Sequence, residues 1–156
     1  MNQIAVFWHD FLRDTQRDSN VTYCDAYHFE RTEYWANELL RLVLIGQKQA
    51  TASSYQAFIT EKSPLPKVGE LNIITDFFGH PHGVVETTQV TIMPFKDLTF
   101  DIVKREGEDE NLESWQKGHM KFFKAEGQEL GYEFSDDMLV VFEDFRLIYQ
   151  KSQSRA

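Results

Sequence analysis

The stretch from Thr32 to Ile45 is the feature that most constrains how this chain folds. Apolar residues recur there at the i, i+4, i+7 and i+8 spacing of one helix face: Trp35, Leu39, Leu42 and Val43. Gly46 follows at the position where a left-handed residue commonly ends a helix. The pattern therefore predicts an amphipathic helix that buries one face and stops at Gly46.

Three other stretches have helical character. Residues 1–18 carry apolar side chains at spacings of three and four: Ile4, Phe7, Trp8 and Phe11. Residues 112–126 follow Asn111, a residue type that often caps a helix amino terminus. A shorter helix is predicted over residues 100–104.

Three runs rich in β-branched and aromatic residues predict strands: 71–77, 84–93 and 138–149. The turn-rich segment 79–83 predicts a hairpin between the first two, and Pro94 blocks further ladder bonding. Helices come first, and a helical insertion precedes the last strand, an order typical of α+β proteins. We therefore predict an α+β fold with a curled or barrel-like mixed sheet and flanking helices.

Length and charge limit the classes of function. The 156 residues, 42% of them apolar, fit one compact domain over residues 1–156. A net charge of -9 disfavours binding of extended double-stranded nucleic acid through phosphate contacts. The apolar run 39–45 is interrupted by Arg41 and is shorter than the roughly 20 residues that a membrane helix needs. No membrane association is expected.

The ends of the chain and its single cysteine give a further expectation. Cys24 has no cysteine partner, and the first residues lack a basic and apolar leader, so a cytoplasmic location is expected. The polar tail 151–156 is expected to fray. Nothing in the sequence distinguishes a monomer from a homodimer.

The segment Gly46-Gln47-Lys48-Gln49-Ala50-Thr51 directly follows the predicted helix. Gly-x-Lys-x-x-Thr in this position is similar to the motif of the ASCH family. The resemblance continues over about residues 30–149, with residues 1–29 as a helical extension. It is supported by the segments 66–71, 85–88, 106–108, 112–115 and 134–138.

The resemblance implies a fold, an activity and a set of residues. The fold is a mixed β-barrel of the PUA-like type, in which the Gly-Lys loop lines a cleft for a base or nucleoside. Some small ASCH proteins are amidohydrolases that remove the acetyl group from the exocyclic amine of acetylated cytidine. The lysine, threonine and glutamate implicated there correspond to Lys48, Thr51 and Glu108, with Glu106 as an alternative to Glu108.

The chemistry of these residues fits such a reaction. A threonine hydroxyl is a poor nucleophile unless a base takes its proton, and Lys48 can do so only if burial lowers its pKa. Glu108 is then the candidate that holds the cytosine edge or protonates the leaving amine. Without the resemblance, the sequence favours a different interpretation: Lys48 is a solvated residue after a helix, and Thr51 is an ordinary strand residue.

Five further residues are candidate ligand contacts. Gly46, Gln47 and Ser53 lie in or beside the motif, and Ser53 stands where RNA-binding family members often have an arginine, which weakens phosphate binding. Asp76 could accept a hydrogen bond from an exocyclic amine, or simply initiate a turn. Glu86 could point toward a ligand, or pair with a cross-strand lysine or threonine.

Other chemistries have little support. His80 and His82 with Glu86 loosely imitate a metal site but lack a further ligand, so no metal is predicted. No glycine-rich phosphate loop or dinucleotide fingerprint is present, and no cofactor is predicted. Four residues share a face of the 112–126 helix and form either a stacking wall for a base or part of the core: Trp115, His119, Phe122 and Phe123.

Two functional hypotheses remain. One is a cofactor-free amidohydrolase that acts on an acylated, cytidine-type nucleoside. The other is a non-catalytic module that binds an RNA base or a small nucleotide in the same cleft. The two differ in whether the native protein turns a ligand over.

Overall fold

The structure is a computed structural model that describes residues 2–151. The helices are α1 (Gln3–Asp14), α2 (Glu33–Leu44), α3 (Tyr55–Glu61), α4 (Phe100–Val103) and α5 (Leu112–Leu130). The strands are β1 (Asp25–Tyr27), β2 (Ala50–Ser54), β3 (Leu71–Thr75), β4 (Pro81–Pro94) and β5 (Leu139–Gln150). They form one five-stranded sheet in the order β1-β3-β4-β5-β2. Of the tail expected to fray, residues 152–156 lie outside the described part.

The described chain divides into two compact units. The first comprises residues 2–46, 69–87 and 146–151, and the second comprises residues 47–68 and 88–145. The prediction of one domain over residues 1–156 stays a prediction.

In the first unit, the apolar face of α1 packs against residues of β3 and β4. The Asn2 side chain caps this helix by accepting from the backbone N–H of Ala5 at 2.8 Å. Strand β1 pairs in parallel with β3, and β3 pairs antiparallel with β4. The buried core comprises Phe7, Trp8, Phe11, Leu12, Leu71, Ile73 and Val84. The predicted hairpin and amino-terminal helix are confirmed, although α1 ends at Asp14.

Helix α2 begins and ends as predicted. Thr32 caps its start, and Gly46 adopts a left-handed φ of +83° after the C-cap residue Ile45. The buried face includes Leu39, Leu42 and Val43, but Trp35 is 51% exposed, so its assignment to that face was wrong. Trp35 lies in the first turn, where Ala36 is the buried residue.

In the second unit, β2 pairs antiparallel with β5, with Ala50 opposite Asp144. The core comprises Ala50, Phe95, Leu98, Val103, Trp115, Phe123, Val140 and Phe142. Trp115 and Phe123 are fully buried, which confirms core packing for these two aromatic residues. Helix α5 starts after its predicted cap Asn111 and runs on to Leu130.

The sequence patterns did not predict β1 or α3, and they indicated β2 only through the interpretation of Thr51 as a strand residue. Helix α3 begins after Ser54, whose hydroxyl oxygen accepts from the backbone N–H of Ala57 at 3.0 Å. The predicted α+β class with a curled mixed sheet is confirmed. The predicted helical insertion before the last strand is also present, but β1 lies between the two helices that were expected to come first. Among residues 2–151, no helix combines the length and apolarity needed to cross a bilayer.

Candidate functional site

Lys48 occupies the loop between α2 and β2, and its side chain is only 1% exposed. Its ammonium nitrogen Nζ donates to Oε2 of Glu106 at 3.2 Å and to Oε2 of Glu108 at 2.5 Å. It also donates to the backbone oxygen of Ala50 at 2.8 Å. These acceptors match the three donors of an ammonium group. The interpretation of Lys48 as a solvated residue was therefore wrong.

Glu106 lies in the 3-10 turn Lys104–Glu106 and is buried. Its second oxygen, Oε1, accepts from Nε1 of Trp115 at 2.7 Å and lies 3.0 Å from Nε2 of His119. Trp115 and His119 are one turn apart on α5. The two oxygens of Glu106 thus join the Lys48 loop to α5.

The loop that carries Lys48 and the loop that carries Glu106 and Glu108 are in close backbone contact. Gly107 has a left-handed φ of +73°, and a Cβ atom there would collide with the backbone carbonyl of Gln47. The Gln47 side-chain nitrogen donates to the Gly107 oxygen at 2.7 Å. The backbone N–H of Gln49 donates to the Arg105 oxygen at 2.9 Å. These contacts turn Lys48 toward Glu106 and Glu108.

The charges of the cluster depend on these contacts. Burial alone lowers the pKa of Lys48, but the neighbouring carboxylates of Glu106 and Glu108 outweigh it and raise that pKa. Burial likewise raises the pKa of Glu106, but Lys48 and His119 together lower it well below its usual range. Lys48 is therefore a cation and Glu106 an anion. The expectation that burial makes Lys48 a neutral base is not supported.

Glu108 has different surroundings. Burial raises its pKa to about 7, against the effect of the Lys48 ammonium and with the help of the negative charge of Glu106. Its side chain is 22% exposed, whereas that of Glu106 is 4% exposed. Glu108 is thus the more solvent-exposed carboxyl group of the two. It also titrates near neutral pH.

Thr51 lies on β2 opposite Glu143 of β5. Because side chains alternate along a strand, its hydroxyl points to the face opposite Ala50 and Ala52, which pack with the core of the second unit. Ser53 shares the face of Thr51. The structure therefore groups Lys48 with both glutamates, while Thr51 and Ser53 occupy the other face of β2.

Asp76 and Glu86 belong to the first unit and have partners of their own. Oδ1 of Asp76 accepts from the backbone N–H groups of Phe78 and His80, both at 3.0 Å, which confirms the turn interpretation. Glu86 accepts from Nε and Nη2 of Arg146 at 3.0 and 2.7 Å. The cross-strand pairing of Glu86 is confirmed, with arginine in place of the expected lysine or threonine.

His119 is the member of the cluster whose role the sequence analysis missed. Its position in the sequence predicts only stacking or core packing, yet its Nε2 lies 3.0 Å from the buried carboxylate of Glu106. The helical i, i+4 spacing from Trp115 placed both rings on one face, but it gave no sign of Glu106. Within residues 2–151, no group of three or more His, Cys, Asp or Glu side chains is arranged to hold a metal ion.

Comparisons with known proteins agree with this architecture. The family model described as "ASCH domain" matches residues 25–149. A protein of known crystal structure from Enterococcus faecalis V583 is 33% identical, with a TM-score of 0.87 over 94% of this chain and 88% of that chain. An ASCH domain structure from Lactobacillus crispatus JV V101 is 32% identical, with a TM-score of 0.85 over 94% of both chains. No curated protein matches.

Proposed function

Because the chain belongs to the ASCH domain family and has its α+β, PUA-like fold, we propose that it hydrolyses the amide of an acylated cytidine-type nucleoside without a cofactor. One observation carries the proposal. The Glu108 carboxyl lies 2.5 Å from a buried ammonium, is partly exposed, and has its pKa raised to about 7. Such a group can both accept and donate a proton at neutral pH.

Glu108 is the acid–base group of the proposed reaction. A nucleophile attacks the acyl carbonyl carbon, and ionised Glu108 takes the proton that the nucleophile loses. The bond between the acyl carbon and the exocyclic nitrogen then breaks, and Glu108 returns the proton to the leaving amine. The products are the free nucleoside and a carboxylic acid, which releases its proton to solvent and becomes a carboxylate. Lys48 stays an ammonium that orients Glu108 and adds positive charge near the developing oxyanion.

We propose a water molecule as the nucleophile, because Thr51 lies on the other face of β2 from the Lys48 cluster. The resemblance implies the Thr51 hydroxyl instead. A threonine nucleophile forms an acyl ester on the protein, and water must then hydrolyse this ester to release the carboxylate and regenerate the hydroxyl. Mass spectrometry of the quenched reaction detects the ester. Thr51→Val then abolishes turnover. With water as the nucleophile, no ester accumulates and Thr51→Val keeps most of its activity.

The proposed ligand is small and neutral, in keeping with the net charge of -9. Gly46, Gln47 and Ser53 are proposed ligand contacts from the motif. Asp76 and Glu86 keep the partners described above and are not part of the proposed site. Cytoplasmic location and a monomeric or homodimeric state stay predictions.

The decisive experiment incubates the purified protein with a panel of acylated cytidines and follows release of the acyl group by chromatography. Glu108→Gln should lower turnover by about 100-fold or more, because the amide cannot exchange the proton. Glu86→Gln is a matched control outside the cluster and should keep native turnover. Absence of release from every substrate with the native protein excludes the hydrolase.

The second candidate is a non-catalytic module that binds an RNA base or a small nucleotide. It is favoured by Lys48, whose ammonium is 1% exposed and already has three acceptors, so that it organises Glu108 and does not itself touch a ligand. The Glu108 carboxylate can accept a hydrogen bond from the exocyclic amine of cytosine. Calorimetry should then show cytidine binding that Glu108→Gln weakens, with no turnover by the native protein.

A further inference from the structure

The ring of His119 faces a hydrogen-bond acceptor at each of its two nitrogens. Nδ1 lies 2.9 Å from the backbone oxygen of Trp115, and Nε2 lies 3.0 Å from Oε1 of Glu106. A backbone carbonyl has no proton to donate. Glu106 is an anion, and the same oxygen already accepts from Nε1 of Trp115 at 2.7 Å.

A neutral imidazole carries a proton on only one nitrogen and would leave a lone pair pointing at one of these acceptors. The doubly protonated ring satisfies both contacts. Its surroundings favour the same form, because the ring stacks on the Trp115 indole with centroids 4.0 Å apart and an interplanar angle of 17°. A cation is stabilised over the face of an indole.

We infer that His119 is held as a buried imidazolium and acts as a positioning residue: it clamps Glu106, and through Glu106 it fixes Lys48 and Glu108. This role rests on the proposed function of Glu108. The charges of Glu106 and Glu108 both act on His119, Glu106 through direct contact, and Lys48 pairs with both carboxyl groups. The cluster thus contains two cations, Lys48 and His119, and two carboxyl groups, Glu106 and Glu108.

The charge of His119 has a consequence for Glu108. Burial lowers the pKa of His119, but the hydrogen bond to Glu106 and its negative charge outweigh burial and raise it. The imidazolium in turn lowers the pKa of Glu108 and so limits the increase caused by burial. Without that charge, one cation remains for two carboxylates, and ionised Glu108 becomes less favourable.

The first test needs no enzymatic activity. Nitrogen-15 NMR of the native protein, with His119 identified by the signal lost in His119→Gln, reports whether each ring nitrogen carries a proton. Both nitrogens should be protonated at pH 7. A ring with one unprotonated nitrogen at pH 7 overturns the inference. If His119→Gln fails to fold, the His119 signal of the native protein can instead be identified from its contacts to Trp115, so the test does not depend on the variant.

The second test uses His119→Gln, which keeps an N–H donor for Glu106 but removes the positive charge. Carbon-13 NMR of the Glu108 carboxyl should show its titration midpoint move up by about half a pH unit or more. The acidic limb of the deacylation rate should move up by the same amount. His82→Gln, a histidine of the first unit, is the control and should leave both unchanged.

An unchanged Glu108 midpoint in folded His119→Gln overturns the positioning role, whether or not the native protein is active. Conversely, a native protein that lacks activity but shows the shifted midpoint removes the hydrolase and keeps the coupling between His119 and Glu108. The two failures are therefore distinguishable.

Discussion

Replacement of Glu106 by glutamine is the sharpest test of how the buried cluster is held together. Glu106 accepts from Lys48 at 3.2 Å and Trp115 at 2.7 Å, and it lies 3.0 Å from His119 Nε2. Glutamine has a single acceptor oxygen, so its amide nitrogen must face a donor on one side. The substitution keeps the volume of the side chain but removes its charge.

The expected cost follows from the charges left behind. Without the Glu106 carboxylate, Lys48 and His119 remain buried with Glu108 as their only carboxyl partner in the cluster. Removal of one partner from a buried ion pair typically costs about 3–5 kcal/mol. Because a whole domain is stable by only about 5–15 kcal/mol, Glu106→Gln should lose a large part of the free energy of unfolding.

Urea unfolding at pH 7, followed by tryptophan fluorescence, measures this loss. The matched control is Glu86→Gln, which breaks the surface pair with Arg146 and should cost about 1 kcal/mol or less. If the unfolding free energies of the two variants agree within about 1 kcal/mol, the buried charges do not organise the site and the reasoning is refuted.

Three further predictions concern neighbouring features. The pKa of Glu108 is about 7 in the folded protein and lies above its unfolded value. The contribution of Glu108 to stability is therefore complete below about pH 4 and is lost as the pH rises through about 7. Glu108→Gln should flatten this decline in the free energy of unfolding, measured from about pH 5 to 8. Gly107→Ala should lower the melting temperature more than Gly131→Ala does, because both have a left-handed φ but only the first methyl group meets the Gln47 carbonyl. Ser54→Ala should cost about 1–2 kcal/mol in urea unfolding, since it removes the cap of α3.

The parts of the fold that were predictable are those that local chemistry determines. Gly46 and Asn111 mark helix ends through the backbone conformation and the side-chain cap that they supply nearby. Strand β1 has three residues, and its ladder depends on β3, almost fifty positions later in the chain. Too short for a recognisable alternation, it could not be found from its own residues.

The site was predictable only as a set of residue types. The motif located Lys48, and the acidic loop supplied Glu106 and Glu108 as alternatives. In the structure both contact Lys48, and burial separates them into an anion and a group that titrates near pH 7. The charge state of Lys48 was wrongly anticipated because it depends on two contacts with distant residues. The contact between His119 and Glu106 is likewise tertiary.

The long sequence separation within the cluster bears on how the protein folds. Lys48 lies 58 and 60 residues from its carboxylate partners, and the Gln47–Gly107 contact also spans 60 residues. Until this loop closes, the charged groups stay hydrated and gain nothing from one another. We therefore expect substitutions in the cluster to speed unfolding more than they slow folding, which the two arms of a denaturant chevron plot measure.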